Sequence, residues 1–118
     1  MHLRCEIEDS DVLVVYLREG DAETSVSVSP AAAGAASMRR AIEAALETGY
    51  GECFWPGRPG GQYWWIFKRD AETLETIAMW TRGGAALWEH VFRATDEAAH
   101  VHRLVVGEIE RLKIGTGS

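Results

Sequence analysis

Residues 62–81, "QYWWIFKRDAETLETIAMWT", contain two apolar segments separated by a short polar one. Large apolar residues occupy alternate positions, so that Tyr63, Trp65 and Phe67 share one face of an extended segment, which is the two-residue period of a β-strand. The intervening residues "RDAE" have the composition of a tight turn. This stretch therefore predicts an antiparallel hairpin that is largely apolar on both faces.

The N-terminal segments have the same character. The segments "LRCEIE" (3–8) and "TSVSVS" (24–29) alternate apolar and polar residues, whereas "DVLVVYLRE" (11–19) is apolar from Val12 to Leu17. Alternation predicts strands with one solvated face, and a continuous apolar run predicts a central strand buried on both faces. Short polar segments between them predict hairpins. Three antiparallel strands are therefore expected before residue 29.

Two further segments have the apolar period of a helix. Residues 29–49 begin with Ser29 followed by a proline and end with a glycine, which predicts a helix capped by Ser29 and stopped at that glycine. Residues 95–115 predict a second helix, capped by Thr95 or Asp96 and also ending at a glycine. The matching lengths are consistent with an ancient duplication or with similar packing demands on two unrelated helices.

Together with a strand at "LWEHVFRA" (87–94), these elements give the order βββα-βββα. We therefore predict an α+β fold in which an antiparallel sheet of about six strands carries two helices packed on one face. The 118 residues, 47% of them hydrophobic, are expected to form a single domain over residues 1–118.

Composition restricts the classes of partner. A net charge of −6 opposes nonspecific binding to nucleic acid or anionic lipid, because both need a basic surface. The sequence holds neither a signal peptide nor an apolar run long enough to span a membrane. Two cysteines are too few for a disulfide scaffold, so reduced thiols in a cytoplasmic protein are expected.

The sequence offers no pattern that predicts a metal site or a cofactor. On a helix, His100 and His102 point about 200° apart and cannot hold one ion together, and His90 is expected in a strand beside Trp88 and Phe92. The loop at 56–61 is not followed by the Lys-Ser/Thr ending of a phosphate-binding loop.

Catalysis likewise has no support at the level of residues. The main acidic cluster surrounds a tight turn and is expected to be solvated, whereas a catalytic carboxylate needs burial or a like-charged neighbour; it consists of Glu6, Glu8, Asp9 and Asp11. The serines at 25, 27 and 29 are expected on the wet face of a strand, outside any nucleophile elbow. An enzyme is therefore not the favoured class.

The most unusual feature is the concentration of aromatic residues around "CFWPGRPGGQYWW" (53–65). Helices can cover only one face of the sheet, so the other apolar face must be covered by the chain itself, by a second copy or by a different partner. Trp, Tyr and Arg are the usual anchors of recognition surfaces. The candidate binding residues are Trp55, Arg58, Tyr63, Trp65, Trp80, Trp88 and His90.

Three functions are compatible with this sequence. The first is a small acidic binding domain that uses the aromatic sheet face and the 55–63 loop to hold a protein partner, for example an inhibitor of the immunity-protein or antitoxin kind acting on a basic toxin. The second is a small-molecule-binding or enzymatic site in an aromatic pocket with Arg58 and His90 as its polar groups. The third is a homodimer in which the aromatic face meets its own copy.

Overall fold

The computed structural model describes residues 1–57, 61–82 and 87–113, and it confirms the α+β class. The strands of the first half are β1 (His2–Glu8), β2 (Val12–Glu19) and β3 (Ala22–Val28), followed by helix α1 (Ala31–Thr48). The second half contains β4 (Tyr50–Pro56), β5 (Gln62–Asp70), β6 (Thr73–Thr81), β7 (Glu89–Glu97) and helix α2 (Ala98–Arg111). The order is therefore βββα followed by ββββα.

The strands form two antiparallel sheets instead of the single sheet of about six strands that was predicted. One sheet has the order β1-β2-β3, with β2 in the centre as expected, and the other has the order β4-β5-β6-β7. The unpredicted strand is β4, whose alternation is visible in the burial of Gly51, Cys53 and Trp55. A glycine on the buried face and the following Pro-Gly segment concealed this strand in the sequence.

Both helices and the inner faces of both sheets contribute to one hydrophobic core. Helix α1 lies directly on β4 at Gly51, where a Cβ atom would stand only 1.8 Å from the carbonyl oxygen of Ala41. The predicted helical stripes are buried, as shown by Met38 and Ile42 in α1 and by Val101 in α2. The helices thus pack on the inner side of the sheets and leave the opposite face of β4–β7 turned away from them.

The ends of the helices differ from the prediction in three places. Helix α1 starts at Ala31 after Pro30, and the Ala31 N–H donates to Oδ1 of Asp11 at 3.2 Å, so Ser29 is not the cap. The stop at Gly49 is confirmed by its left-handed φ of 95°. Helix α2 begins only at Ala98, because β7 continues through the predicted cap, and it ends at Arg111, before the predicted stop at residue 115, which lies outside the described residues.

Helix α2 also covers the free edge of β1. The backbone N–H of Cys5 donates to Oε1 of Glu108 at 2.9 Å, and the Arg111 guanidinium donates to the Cys5 carbonyl at 2.6 Å. The same guanidinium donates to Glu108 at 3.0 Å. Side chains therefore satisfy backbone groups that an uncovered edge strand would leave open to pairing.

Candidate binding surface

An aromatic cluster lies on the face of β4–β7 that is turned away from the helices. Alternation along β4 and β5 directs Trp55 and Trp65 into the core and Phe54 and Trp64 to the opposite side. The Phe54 and Trp64 rings stack with centroids 5.5 Å apart, and Trp88 meets Trp64 edge to face at 5.2 Å. Phe54, Trp64 and Trp88 form what we name the outer cluster.

A β-bulge between β6 and β7 brings Trp88 to this position. Ala78 pairs with Phe92, but the next residue, Met79, pairs with His90, so β7 carries one additional residue at this point. Phe92 is consequently buried on the inner face, whereas His90 is exposed. Regular alternation predicts that His90 and Phe92 share one face of the strand with Trp88. The bulge instead directs His90 and Phe92 to opposite faces.

Two of the predicted binding residues, Trp55 and Trp65, lie in the core. Their side chains are 1% and 0% exposed, and their rings meet edge to face at 5.3 Å. The Trp55 indole N–H is directed inward, toward the Gly34 carbonyl at 3.2 Å and the Ser37 hydroxyl at 3.0 Å. These two rings hold α1 against the sheet and are inaccessible to a partner.

Tyr63 and Trp80, two other predicted residues, pair at the end of the second sheet with ring centroids 4.7 Å apart. The Trp80 ring lies against Gly57 and Gly61, where added Cβ atoms would stand 2.5 Å and 2.2 Å from it. The Gly57 N–H also donates to the Gly61 carbonyl at 2.8 Å. The loop that joins β4 to β5 is thus fixed at its base, while Arg58 lies outside the described residues.

Tyr63 and Trp80 form one wall of a cleft of about 490 Å³. The other wall comes from the first sheet, on the face opposite its core residues, and from the turn between β1 and β2. Its polar residues are Glu8, Asp9, Tyr16, Ser25, Ser27 and Ser29.

Two carboxylates determine the charge of this cleft. The Tyr16 hydroxyl donates a hydrogen bond to the Glu8 carboxylate, and this bond raises the pKa of the Tyr16 phenol. Burial raises the pKa of Tyr63. Both phenols are therefore neutral at pH 7, and Glu8 and Asp9 give the cleft its negative charge. Within the described residues Asp9 makes no ion pair.

The cleft and the outer cluster are parts of one continuous surface. A groove of about 250 Å³ runs between the start of α1 and β4, and Phe54, Pro56 and Ser29 are among the residues that line it. Pro56 and Ser29 also line the cleft, and Phe54 belongs to the outer cluster. We name the cleft, this groove and the outer cluster together the binding surface.

Both cysteine thiols are free and buried. Burial raises the pKa of the Cys5 and Cys53 thiols to about 12, so neither is a thiolate at neutral pH. In the described part of the chain, no three His, Cys, Asp or Glu side chains come together as metal ligands. Neither helix there is both long and apolar enough to cross a membrane.

Several residues of the binding surface were not among the predicted candidates. The outward position of Phe54 and Trp64 could have been predicted from alternation, since each is adjacent in its strand to a core residue, Trp55 or Trp65. The contribution of Glu8, Asp9 and Tyr16 depends on the first sheet meeting the end of the second, which no local pattern encodes. No protein-family model matches the chain, and no curated protein or solved structure is significantly similar to it.

Proposed function

We propose that this protein is a binding domain, without catalytic activity of its own, that holds a basic protein partner on the binding surface. The observation that carries the proposal is the outer cluster: the rings of Phe54, Trp64 and Trp88 contact one another on the side of the sheet away from the helices. An inhibitor of the immunity-protein kind, acting on a basic toxin, is one concrete form of this function.

The aromatic composition of the outer cluster supports the proposal. Trp and Tyr dominate the energetics of protein interfaces, because they bury a large area with few rotatable bonds. Phe54 is 46% exposed and Leu87, which precedes Trp88, is 80% exposed. Large apolar side chains exposed in and beside an aromatic cluster favour contact with another surface.

The charge of the protein indicates the kind of partner. The net charge is −6, and Glu8 and Asp9 lie in the cleft at one end of the binding surface. Opposite charges accelerate the diffusional encounter of two proteins and add specificity. A basic partner is therefore favoured over an acidic one.

The test is quantitative capture from a native lysate with three immobilised baits. These are the wild type, Trp88→Ala, and Arg103→Ala as a control on the exposed side of α2. We expect a basic protein to be retained by the wild type and the control, and to be lost by at least about tenfold with Trp88→Ala, as for a central interface anchor. The proposal fails if the three baits retain the same proteins equally while circular dichroism shows all three folded.

The salt dependence of the purified complex provides the second part of the test. The association rate constant of the captured protein should fall as ionic strength rises, because screening weakens long-range attraction. A rate constant that does not change with salt would remove the electrostatic part of the proposal.

A small-molecule site is a second candidate function, and the cleft is the observation that favours it. Its volume of about 490 Å³ is in the range of ligand pockets, and Tyr63 and Trp80 provide aromatic walls. A metabolite panel monitored by tryptophan fluorescence, with Trp80→Phe as the matched variant, tests this candidate. Fluorescence that no metabolite changes would argue against it.

A further inference from the structure

The two walls of the cleft differ in chemistry. The turn between β1 and β2 contributes the carboxylates of Glu8 and Asp9, and the end of the second sheet contributes the rings of Tyr63 and Trp80. Asp9 occupies a turn position, and its backbone has a left-handed φ of 49°. The cleft therefore offers negative charge and aromatic faces within one space.

Among the described residues that line the cleft, none is a lysine or an arginine. Arg4 lies close by, but its guanidinium is stacked on the Tyr16 ring at 4.7 Å and stands 4.0 Å from Glu6. The carboxylates of Glu8 and Asp9 therefore have no cationic partner among these lining residues. Charge complementarity favours a cationic group as the occupant.

The aromatic wall is held in place before any ligand binds. The Trp80 ring is backed by Gly57 and Gly61, and it contacts Tyr63 at a tilt of 48°. A fixed ring loses little conformational entropy on binding, and its face attracts a cation. Guanidinium is planar, stacks on rings and donates in a fork that matches a carboxylate, whereas ammonium is a compact, strongly hydrated point charge.

We propose that the cleft receives an arginine side chain of the protein partner, with its guanidinium bound by the carboxylates of Glu8 and Asp9 and stacked on Trp80. This inference rests on the proposed function, because it names the group that the partner inserts. It assigns the outer cluster to apolar contact and the cleft to charge recognition.

The experiment is a titration followed by NMR of the tryptophan indole N–H signals. The probe is N-acetyl-L-arginine amide, and the neutral control is N-acetyl-L-norleucine amide. We expect the Trp80 indole signal to shift and saturate, with a dissociation constant on the order of millimolar for a single side chain. The Trp88 signal should stay in place. An Asp9→Asn variant should weaken binding of the probe by about tenfold.

Three outcomes would overturn the inference. The first is an unmoved Trp80 signal, and the second is an equal shift with the norleucine amide. The third is a combination of two results, in which the wild type binds the arginine amide but Asp9→Asn captures the protein partner as well as the wild type does. The cleft would then be a site for a free cation and not for an arginine of the partner. Loss of capture by Trp88→Ala is a separate readout, so the proposed function can hold while this inference fails. Glu8→Gln provides a second variant if Asp9→Asn does not fold.

Discussion

The indole rings of Trp55 and Trp65 meet edge to face with centroids 5.3 Å apart in the core. Of these two rings, Trp55 donates its N–H to acceptors, whereas the Trp65 N–H has no acceptor among the described residues. This difference allows the contribution of the two Trp55 hydrogen bonds to be separated from that of ring packing. The two side chains are almost equally buried, and each is replaced most conservatively by phenylalanine.

Trp55→Phe is expected to lower the free energy of unfolding by about 1 to 2 kcal/mol more than Trp65→Phe does. The reason is that Trp55→Phe removes the donor of two hydrogen bonds, to the Gly34 carbonyl and to the Ser37 hydroxyl, whereas the Trp65 N–H has no acceptor among the described residues. Urea unfolding followed by circular dichroism measures both values. Equal losses would show that the Trp55 hydrogen bonds contribute nothing beyond ring packing.

Gly61→Ala is expected to destabilise the protein by about 1 to 3 kcal/mol, the usual cost of overpacking. Its Cβ would stand 2.2 Å from the Trp80 ring and 2.6 Å from the Thr81 carbonyl oxygen. Gly107→Ala is the control, because nothing lies within 4 Å of its Cβ and the position is helical. That change should stabilise the protein by about 0.5 to 1 kcal/mol. A thermal melt in which Gly61→Ala is as stable as the wild type would contradict the close packing of the Trp80 ring on Gly61.

The contacts of Glu108 predict a pH-dependent stability. The Arg111 guanidinium and the Cys5 N–H hold the pKa of this carboxyl below its usual value, so its contribution is complete above the unfolded pKa of about 4.3. Glu108→Gln should therefore lose about 1 to 2 kcal/mol at pH 7. The difference from wild type should shrink as pH falls through the lowered pKa of the folded state. Urea unfolding at several pH values measures it, and a difference that is constant down to the lowest pH would exclude this role for the carboxylate.

The two thiols should be unreactive in the native protein. Burial raises the pKa of Cys5 and Cys53 to about 12, and reaction with a disulfide reagent requires an exposed thiolate. Ellman's reagent at pH 8 should label neither thiol in buffer and both in concentrated guanidinium chloride. Rapid native labelling of either residue would mean that its strand opens readily.

The strongest periodic segments were predictable from sequence. The hairpin at residues 62–81 has large side chains at alternate positions, and the structure pairs Tyr63 with Trp80 and Trp65 with Ala78 as this alternation requires. The buried stripes of α1 and α2 were predictable for the same reason, because burial of one helix face imposes its own period. Local patterns were sufficient in these elements.

The remaining features depend on contacts between distant segments. Strand β4 has Gly51 at a core position, because α1 approaches the backbone of the strand closely there. A large apolar side chain at this position would have indicated the strand in the sequence, and the glycine does not. The separation into two sheets depends on whether β3 pairs with β4, which neither strand encodes locally. The bulge at Met79 likewise reassigns His90 to the outer face through the partner strand.

The candidate surface was therefore only partly predictable. The aromatic residues near 53–65 indicated a recognition surface, but alternation alone did not show that Trp55 and Trp65 lie under the helices. It also did not show that the wet serine face of β3 forms a cleft with Tyr63 and Trp80. A cleft between two sheets follows only from their packing.

Sedimentation equilibrium from nanomolar to high micromolar concentration shows whether the outer cluster is available to a different protein. We expect a monomer across this range for the wild type, for Trp88→Ala and for the Arg103→Ala control. A persistent wild-type dimer that Trp88→Ala dissociates, while Arg103→Ala remains dimeric, would be incompatible with the proposed function. The outer cluster would then be occupied by a second copy of the same chain.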